Sequence, residues 1–301
     1  MKILITCSFP ITQQQIRQLS ELGLEVSLHQ NEREAVQQPD RYEAVVCNGL
    51  FLYNAIKKFT ALKYVQLTSA GLDRVPLDFI HENGIVINNA RGVYSVPMAE
   101  FAICGVLQLL KRSKFFMKNQ SLHSWEKHRN VLELMGRTVC VVGCGSVGTE
   151  CAKRFKAFDC NIIGVDIYPR EDENYDKIFE LDHLYHCLSY SDIVILTLPL
   201  TEGTKHLLNE QAFGAMKKGA ILVNIARGGV VDTNALIHAL DTVLEGAVLD
   251  VFEDEPLFSE NPLWDLENVI ITPHNSFVSE ANQVRLWDVI YSNLRRFLSR
   301  E

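Results

Sequence analysis

The apolar run 221–226, "ILVNIA", delivers Arg227 at its end, followed at once by two glycines. A guanidinium is costly to bury without a partner, so solvent or an anion must meet it there. Two more strand-like runs end in polar groups. "VLDVFEDEP" closes with Asp250 and leads to Glu255, and "VIITPH" closes with His274. An arginine can hold an anion through charge-assisted bonds, and a histidine can carry a proton near neutral pH. Each residue alone also has a plainer reading. Glu255 belongs to an acidic cluster with Glu253 and Asp254 of the kind found in solvated turns. His274 can be a satisfied loop histidine, and Arg227 can cap a helix or pair with Asp232.

A second motif changes that balance. In "VCVVGCGSVGTECAKRF" an apolar run leads into Gly143, Gly145 and Gly148 at the opening of a helical pattern. The next run, "NIIGVD", ends in Asp166, 18 residues beyond Gly148. This is the context that a dinucleotide turn requires. Gly143 permits the tight turn, Gly145 admits a pyrophosphate, and Gly148 lets helix and strand touch. The helix N-terminus, from Ser146 and Val147 onward, favours the phosphate charge. Asp166 can accept bonds from ribose hydroxyls and would repel a 2′-phosphate, which favours NAD over NADP. Arg170 lies nearby but opens a charged stretch after Pro169 and reads as a solvated loop cation. In an open parallel sheet the carboxyl ends of strands line the ligand crevice, so Arg227, Asp250, Glu255 and His274 can converge on the nicotinamide end.

These residues need a scaffold, and the chain supplies one. "KILIT", "LEVSL", "YEAVVC", "KYVQLT" and "GIVINN" read as five strands with helical segments among them. A second series runs through "RTVCVVG", "NIIGVD", "DIVILTLP", "AILVNIA", "GAVLDVF" and "NVIITP". Two series predict an α/β protein of two doubly wound parallel-sheet domains, a flavodoxin-like one and a Rossmann one. Between them residues 95–120 read as a single helix, apolar almost all round, buried between domains or shared with a second subunit. At the end of the chain Trp287, Ile290, Leu294 and Phe297 fall on one helical face, which predicts packing back onto the first domain. The expected boundaries are therefore 1–93 with 276–301 for a substrate domain and 94–275 for a dinucleotide domain.

The 301 residues suffice for two cores, and a formal net charge of −8 argues against nucleic acid or an anionic membrane as partner. No run reaches the ~20 apolar residues of a membrane span, and the apolar start "MKILITCSFP" is too short for a secretory signal. Among the eight cysteines, Cys47, Cys140 and Cys160 sit in apolar segments. Cys140 and Cys144 are four apart, but with no Cys/His partner pair at a ligand spacing no metal is expected. Free thiols in a reducing compartment, hence the cytoplasm, are expected instead.

"TSAGLDRV", "MAEFA", the glycine stretch, "LPLTEGTKHLLN", "MKKGAILVNIARGGVVD", "LDVFEDEP" and "TPH" together resemble the D-isomer-specific 2-hydroxyacid dehydrogenases, over nearly the whole chain. That family includes 3-phosphoglycerate, glycerate and D-lactate dehydrogenases. The resemblance implies an NAD-dependent enzyme that interconverts D-2-hydroxy and 2-oxo acids. Arg227 would bind substrate, Glu255 would support His274, and His274 would be the acid/base. Asp250 would help hold the nicotinamide amide. Leu198, Pro199, Thr204 and Ala226 would join the cofactor site, and backbone N–H groups around Ala70 and Gly71 would grip the substrate carboxylate. The resemblance also implies a homodimer, with the helix after Ser95 as candidate contact.

The chain departs from the phosphoglycerate-specific pattern. "CNGLFLYN", residues 47–54, contains no Arg or Lys for a phosphate, so a small or apolar substrate side chain meeting Leu50, Phe51 or Tyr53 is expected. Asn275 and Phe277 follow His274 where relatives have smaller residues, which would narrow the pocket. An end at residue 301 leaves no room for the C-terminal regulatory domain of some phosphoglycerate dehydrogenases. Alternatives are a dinucleotide-sensing corepressor on the same fold, a 3-phosphoglycerate dehydrogenase, and another hydride transfer such as formate oxidation.

Overall fold

The computed structural model describes residues 1–299. Residues 300 and 301, the last two of the expected first domain, lie outside the described residues. The chain forms two compact units. One takes in Met1–Tyr94 and the segment from Ser279 onward, and the other is Ser95–Val278.

In the first unit five parallel strands, β1 (Lys2–Thr6), β2 (Glu25–His29), β3 (Ala44–Cys47), β4 (Tyr64–Leu67) and β5 (Val86–Asn88), run in the order β2-β1-β3-β4-β5. Helices α1 (Gln13–Glu21) and α2 (Leu77–Glu82) connect some of them. β3 and β4 are buried at every position, as apolar strands covered on both faces must be. Alternation divides their side chains between two cores. Ile3, Ile5, Val46 and Tyr64 pack with Leu286, Trp287, Ile290 and Leu294 of the C-terminal helix Asn282–Leu298. Leu4, Val45, Val65 and Leu67 pack on the other side with Leu50, Phe59 and Ile80. The ring of Phe297 lies 4.7 Å from that of Tyr64, and Asn293 Nδ2 donates to the buried Gln66 Oε1 at 3.0 Å. The C-terminal helix thus completes the unit in which the chain begins.

The second unit has helices α3 (Ser95–Leu110), α4 (Ser113–Ser121), α5 (Ser146–Lys156), α6 (Leu184–Tyr190), α7 (Glu210–Ala215) and α8 (Thr233–Thr242). Its strands are β6 (Thr138–Val142), β7 (Asn161–Val165), β8 (Lys177–Phe179), β9 (Ile193–Leu196), β10 (Ala220–Asn224), β11 (Leu244–Leu249) and β12 (Val269–Ile271). They form a parallel sheet in the order β12-β11-β10-β9-β6-β7-β8. One detail corrects the sequence reading. The single helix expected over 95–120 breaks at Arg112, which adopts a left-handed φ of 54°. Around that break Lys111 Nζ donates to Leu132 O, and Arg112 pairs with Glu245, long-range bonds that no local pattern encodes. The first piece, α3, turns Ala102, Gly105, Val106 and Leu109 toward the core of its own unit and leaves Glu100 and Cys104 exposed. A Cβ on its Gly105 would stand 2.5 Å from Val248 Cγ1 of β11. No described helix is long and apolar enough to cross a membrane.

Candidate active site

The dinucleotide turn sits where β6 ends. Gly143 has a φ of +94°, and a Cβ on it would stand 2.8 Å from Leu198 N. Gly148 lies still closer to its neighbours, its hypothetical Cβ 2.2 Å from Gly143 O. Gly145 differs: a Cβ there would meet nothing within 4 Å, so the space beside it is open. No side chain caps α5 at Gly145, and the first N–H groups of the helix, from Ser146 and Val147, border that opening. A pyrophosphate fits this cradle by charge and by clearance. Asp166, immediately after β7, turns its carboxylate onto the same loop. Oδ2 accepts from Cys144 N at 2.7 Å and Oδ1 from Tyr168 N at 3.0 Å, and each oxygen retains lone-pair capacity for a ribose hydroxyl. Leu198 is buried, Pro199 is exposed, and Thr204 Oγ1 donates to Pro199 O at 2.7 Å to close the loop after β9. These residues fit an NAD molecule.

Arg170 lies at the surface, as expected, but its guanidinium also has protein partners. Its Nη2 donates to Cys144 O at 2.7 Å and to Thr149 Oγ1 at 3.3 Å, and it pairs with Asp172 Oδ2 at 3.2 Å. Burial works to raise the Asp172 carboxyl, but bonds from Asn174 and Arg170 outweigh it and hold the group below the usual range. The guanidinium is thus engaged beside the glycine loop.

Arg227, Asp250 and His274 follow the ends of three adjacent strands, β10, β11 and β12, on the edge that also carries the glycine turn. Asn224, 1% exposed, shapes the first turn: its Oδ1 accepts from Ala226 N at 3.1 Å and its Nδ2 donates to Arg227 O at 3.2 Å. Arg227 Nη1 donates to Ala226 O at 2.7 Å. Gly228 is required because a Cβ on it would collide with the Phe252 carbonyl carbon at 1.8 Å. The arginine turn and the loop that carries Glu255 therefore touch.

Asp250 is 1% exposed, and its carboxylate holds the His274 turn. Oδ1 accepts from Thr272 Oγ1 at 2.6 Å and Asn275 N at 2.7 Å, and Oδ2 accepts from Ser276 N at 3.0 Å. A nicotinamide amide would have to share it. His274 itself adopts φ 51°, a left-handed conformation uncommon outside glycine, and its N–H donates to Asp250 O at 2.8 Å. Its Nδ1 stands 2.9 Å from Glu255 Oε2, with both side chains 38% exposed, while Glu255 Oε1 accepts from Phe252 N at 3.1 Å. Nδ1 is the nitrogen that faces the carboxylate, and Nε2 is the other ring nitrogen. The ring of Phe277 lies edge-on to the imidazole at 6.1 Å.

Sequence reasoning set Glu253 aside as part of a solvated turn, yet it joins three segments. Its Oε1 meets His206 Nε2 at 2.6 Å, and its Oε2 accepts from Thr233 N at 2.9 Å and from the Thr233 hydroxyl. Burial pushes its carboxyl up, but the bonds from Thr233 and His206 prevail and hold it below the ordinary range. The one local signal was its place two residues before Glu255. In the first unit Ala70 is exposed, and among the described residues neither Ala70 N nor Gly71 N donates to a protein acceptor. Of the three residues expected to meet a substrate side chain, Leu50 is wholly buried in the core, Phe51 packs edge-on against Phe59 at 5.5 Å, and Tyr53 is 53% exposed. The loop itself contains no Arg or Lys, but Arg74 Nη1 from another segment donates to its Asn48 Oδ1 at 3.1 Å.

Residues 103–276 match the family model "D-isomer specific 2-hydroxyacid dehydrogenase, NAD binding domain". A D-3-phosphoglycerate dehydrogenase of Methanocaldococcus jannaschii is 33% identical over 307 residues, covering 100% of this chain and 58% of that protein. A glyoxylate reductase of Thermofilum pendens is 36% identical over 247 residues, covering 80% of this chain and 73% of that protein. The chain spans little more than half the length of two archaeal phosphoglycerate dehydrogenases that it matches, 58% and 56%, and 34% of a chloroplastic one of Arabidopsis thaliana. Among solved structures, the D-lactate dehydrogenase of Aquifex aeolicus complexed with NAD and lactic acid superposes with a TM-score of 0.76 at 26% identity, over 99% of this chain and 95% of that one. With residues 103–276 matched by the family model and the whole chain covered by a relative at 33% identity, the chain belongs to the D-isomer specific 2-hydroxyacid dehydrogenase family.

Proposed function

We propose that this protein is an NAD-dependent oxidoreductase that interconverts a D-2-hydroxy acid and its 2-oxo acid. The reading rests above all on the 2.9 Å pairing of His274 Nδ1 with Glu255 Oε2, at the sheet edge where Arg227 and the dinucleotide turn also lie. NAD, when bound, accepts or supplies the hydride. Arg227 receives the substrate carboxylate with its planar fork, and in the first unit the N–H groups of Ala70 and Gly71 are donors suited to substrate binding. His274 gives a proton through Nε2 to the carbonyl oxygen as charge grows there, and takes it back in the oxidative direction. Glu255 accepts from the Nδ1 side of the imidazole and orients the ring. Asp250 holds the turn that aims it.

Gly143, Gly145, Ser146, Val147 and Gly148 form the pyrophosphate cradle in this reading, and Asp166 takes the ribose hydroxyls and disfavours a 2′-phosphate. Leu198, Pro199, Thr204 and Ala226 line the rest of the cofactor's path. The 1–93 and 276–301 regions bind the substrate, and 94–275 bind the dinucleotide. A screen of NADH oxidation across 2-oxo acids tests the function. Turnover of at least one, with a D-configured product, is expected. Tight NADH binding without consumption by any 2-oxo acid would refute it.

The protein is also expected to form a homodimer through the 95–120 region, with the exposed apolar residues of α4 and the segment after it as part of the contact. Met117, Leu122, Trp125 and Met135 are 66%, 67%, 96% and 68% exposed, an apolar stretch that a second copy would cover. Light scattering tests this, with Trp125→Glu expected to give monomers.

A further inference from the structure

The strand order of the first unit changes direction between β1 and β3, and in a doubly wound sheet the crevice beyond the carboxyl ends of those two strands is the natural ligand position. Here the chain fills it from within. Glu32, in the loop after β2, accepts at Oε1 from Thr6 Oγ1 at 2.6 Å and from Asn48 N at 2.7 Å. Its Oε2 accepts from Gly49 N at 2.6 Å. Two successive backbone N–H groups and a hydroxyl aimed at one point are the donor set of an anion nest.

The surroundings belong to the same design. Gly49 brings its backbone close: a Cβ there would lie 3.5 Å from Glu32 Oε2 and 4.0 Å from Arg74 Cδ. Arg74, tied to Asn48 Oδ1, supplies a cation at the rim. Asn54 Nδ2 donates to the main-chain oxygen of Glu32 at 3.0 Å and fixes that residue in place. Thr68, which opens "TSAGLDRV", reaches the cluster through Ser8, at 3.4 Å from its own hydroxyl and 3.1 Å from that of Thr6. Hydroxyls, main-chain donors and a guanidinium therefore surround an anion that the protein carries itself.

We infer that Glu32 is a resident anion that closes this nest to a phosphate or second carboxylate at the far end of a substrate, so that the substrate class is 2-oxo acids with uncharged side chains. The substrate class rests on the oxidoreductase reading above; the filled nest does not. An incoming phosphate finds its donors engaged and meets a like charge at contact distance, whereas an uncharged side chain meets neither obstacle.

The test compares wild type, Glu32→Ala and Glu32→Gln in NADH oxidation with pyruvate, 2-oxobutanoate, oxaloacetate and 3-phosphohydroxypyruvate. Wild type is expected to favour the first two by about tenfold or more in kcat/KM. Glu32→Ala vacates the donors and should lower KM for 3-phosphohydroxypyruvate by about tenfold while KM for pyruvate stays within about threefold. Glu32→Gln, isosteric and uncharged, should fall between them. Titration with inorganic phosphate, followed by phosphorus NMR, reads the nest without turnover, and Glu32→Ala should bind phosphate where wild type does not. A wild type that prefers 3-phosphohydroxypyruvate would overturn the inference. So would a folded Glu32→Ala that gains neither phosphate binding nor a lower KM for the phosphorylated acid. If no 2-oxo acid is reduced at all, the oxidoreductase reading fails and the phosphate titration still decides the role of Glu32. If Glu32→Ala does not fold, Glu32→Gln and the wild-type panel decide it.

Discussion

Replacing Asp250 by Asn keeps the shape of the side chain and removes its charge, which isolates what the carboxylate does for the His274 turn. In the better of its two orientations, the amide oxygen still accepts from Thr272 Oγ1 and Asn275 N, and the amide nitrogen then faces Ser276 N–H, the Oδ2 partner at 3.0 Å. Two donors confront each other in a place where Ser276 is 4% exposed and water cannot intervene. A buried N–H left without an acceptor costs about 1–3 kcal/mol, and loss of charge weakens each of the other two bonds by about 1 kcal/mol. Relief from burying a carboxylate offsets part of this, so the net loss is about 2–4 kcal/mol.

For a unit of this size each kcal/mol lowers Tm by about 2–4 °C, so a decrease of about 5–15 °C is expected by scanning calorimetry. The same loosening should appear in the chemistry. His274 holds its left-handed backbone through a bond to Asp250 O, and a displacement of about 1 Å at the reacting imidazole can cost about a hundredfold in kcat. NADH oxidation, measured well below the new Tm and at saturating NADH, should show that decrease in kcat. A variant with wild-type Tm and wild-type kcat would refute the accounting of bonds. A lowered Tm with unchanged kcat would show that the carboxylate supports the fold without aiming the histidine.

His274→Gln should lower kcat by about 10²–10⁴-fold with NADH affinity preserved, and an unchanged kcat would remove the imidazole from proton transfer. Arg227→Lys should raise KM for the oxo acid, because a point charge cannot replace the fork; unchanged KM and kcat would contradict that role. Asp166→Ala should reduce discrimination against NADP only modestly while Arg170 remains paired with Asp172, and Asp166→Ala with Asp172→Asn should reduce it further. A single variant already as NADP-tolerant as the double one would show the pairing to be irrelevant. Asp192 tests acid stability. Burial raises its carboxyl, but bonds from Lys217 at 2.8 Å and Thr138 N at 2.9 Å prevail, so its pKa is lowered from 3.8. The stabilisation is present above 3.8 and is lost as pH falls through the lower folded value. Asp192→Asn should therefore lower Tm near neutrality and flatten the dependence of Tm on pH in acid; parallel curves would refute it.

The scaffold was legible because apolar burial is periodic. Runs such as "ILVN" are buried on both faces of a sheet and announce themselves. β8 did not, being three residues at a sheet edge that begin with a lysine. The break at Arg112 was hidden for a related reason, since the residues that fix it, Leu132 and Glu245, lie far along the chain. Polar site residues have no period at all. The types and strand-end positions of Arg227 and His274 could be read, but the binding of Asp250 to Thr272, Asn275 and Ser276 could not. Glu32 stands in "QNERE", which has every mark of a solvated loop, and its partners are 16 to 26 residues distant.

Glycine is the exception among residues that carry no chemistry, because its use reports tertiary proximity directly. The two glycines after Arg227 were visible at once, and one of them has a specific cause: the main chain at Phe252 passes 1.8 Å from where a Cβ of Gly228 would stand. Gly148 against Gly143 O, at 2.2 Å, reports the closeness of helix and turn in the same way. In both cases the absence of a side chain marks the point at which two backbone segments must touch for the site to exist. The arginine could thus be found from its neighbours' smallness before any distance was known. The His–Glu pair could not, because side-chain contacts across loops leave no such mark on the residues that make them.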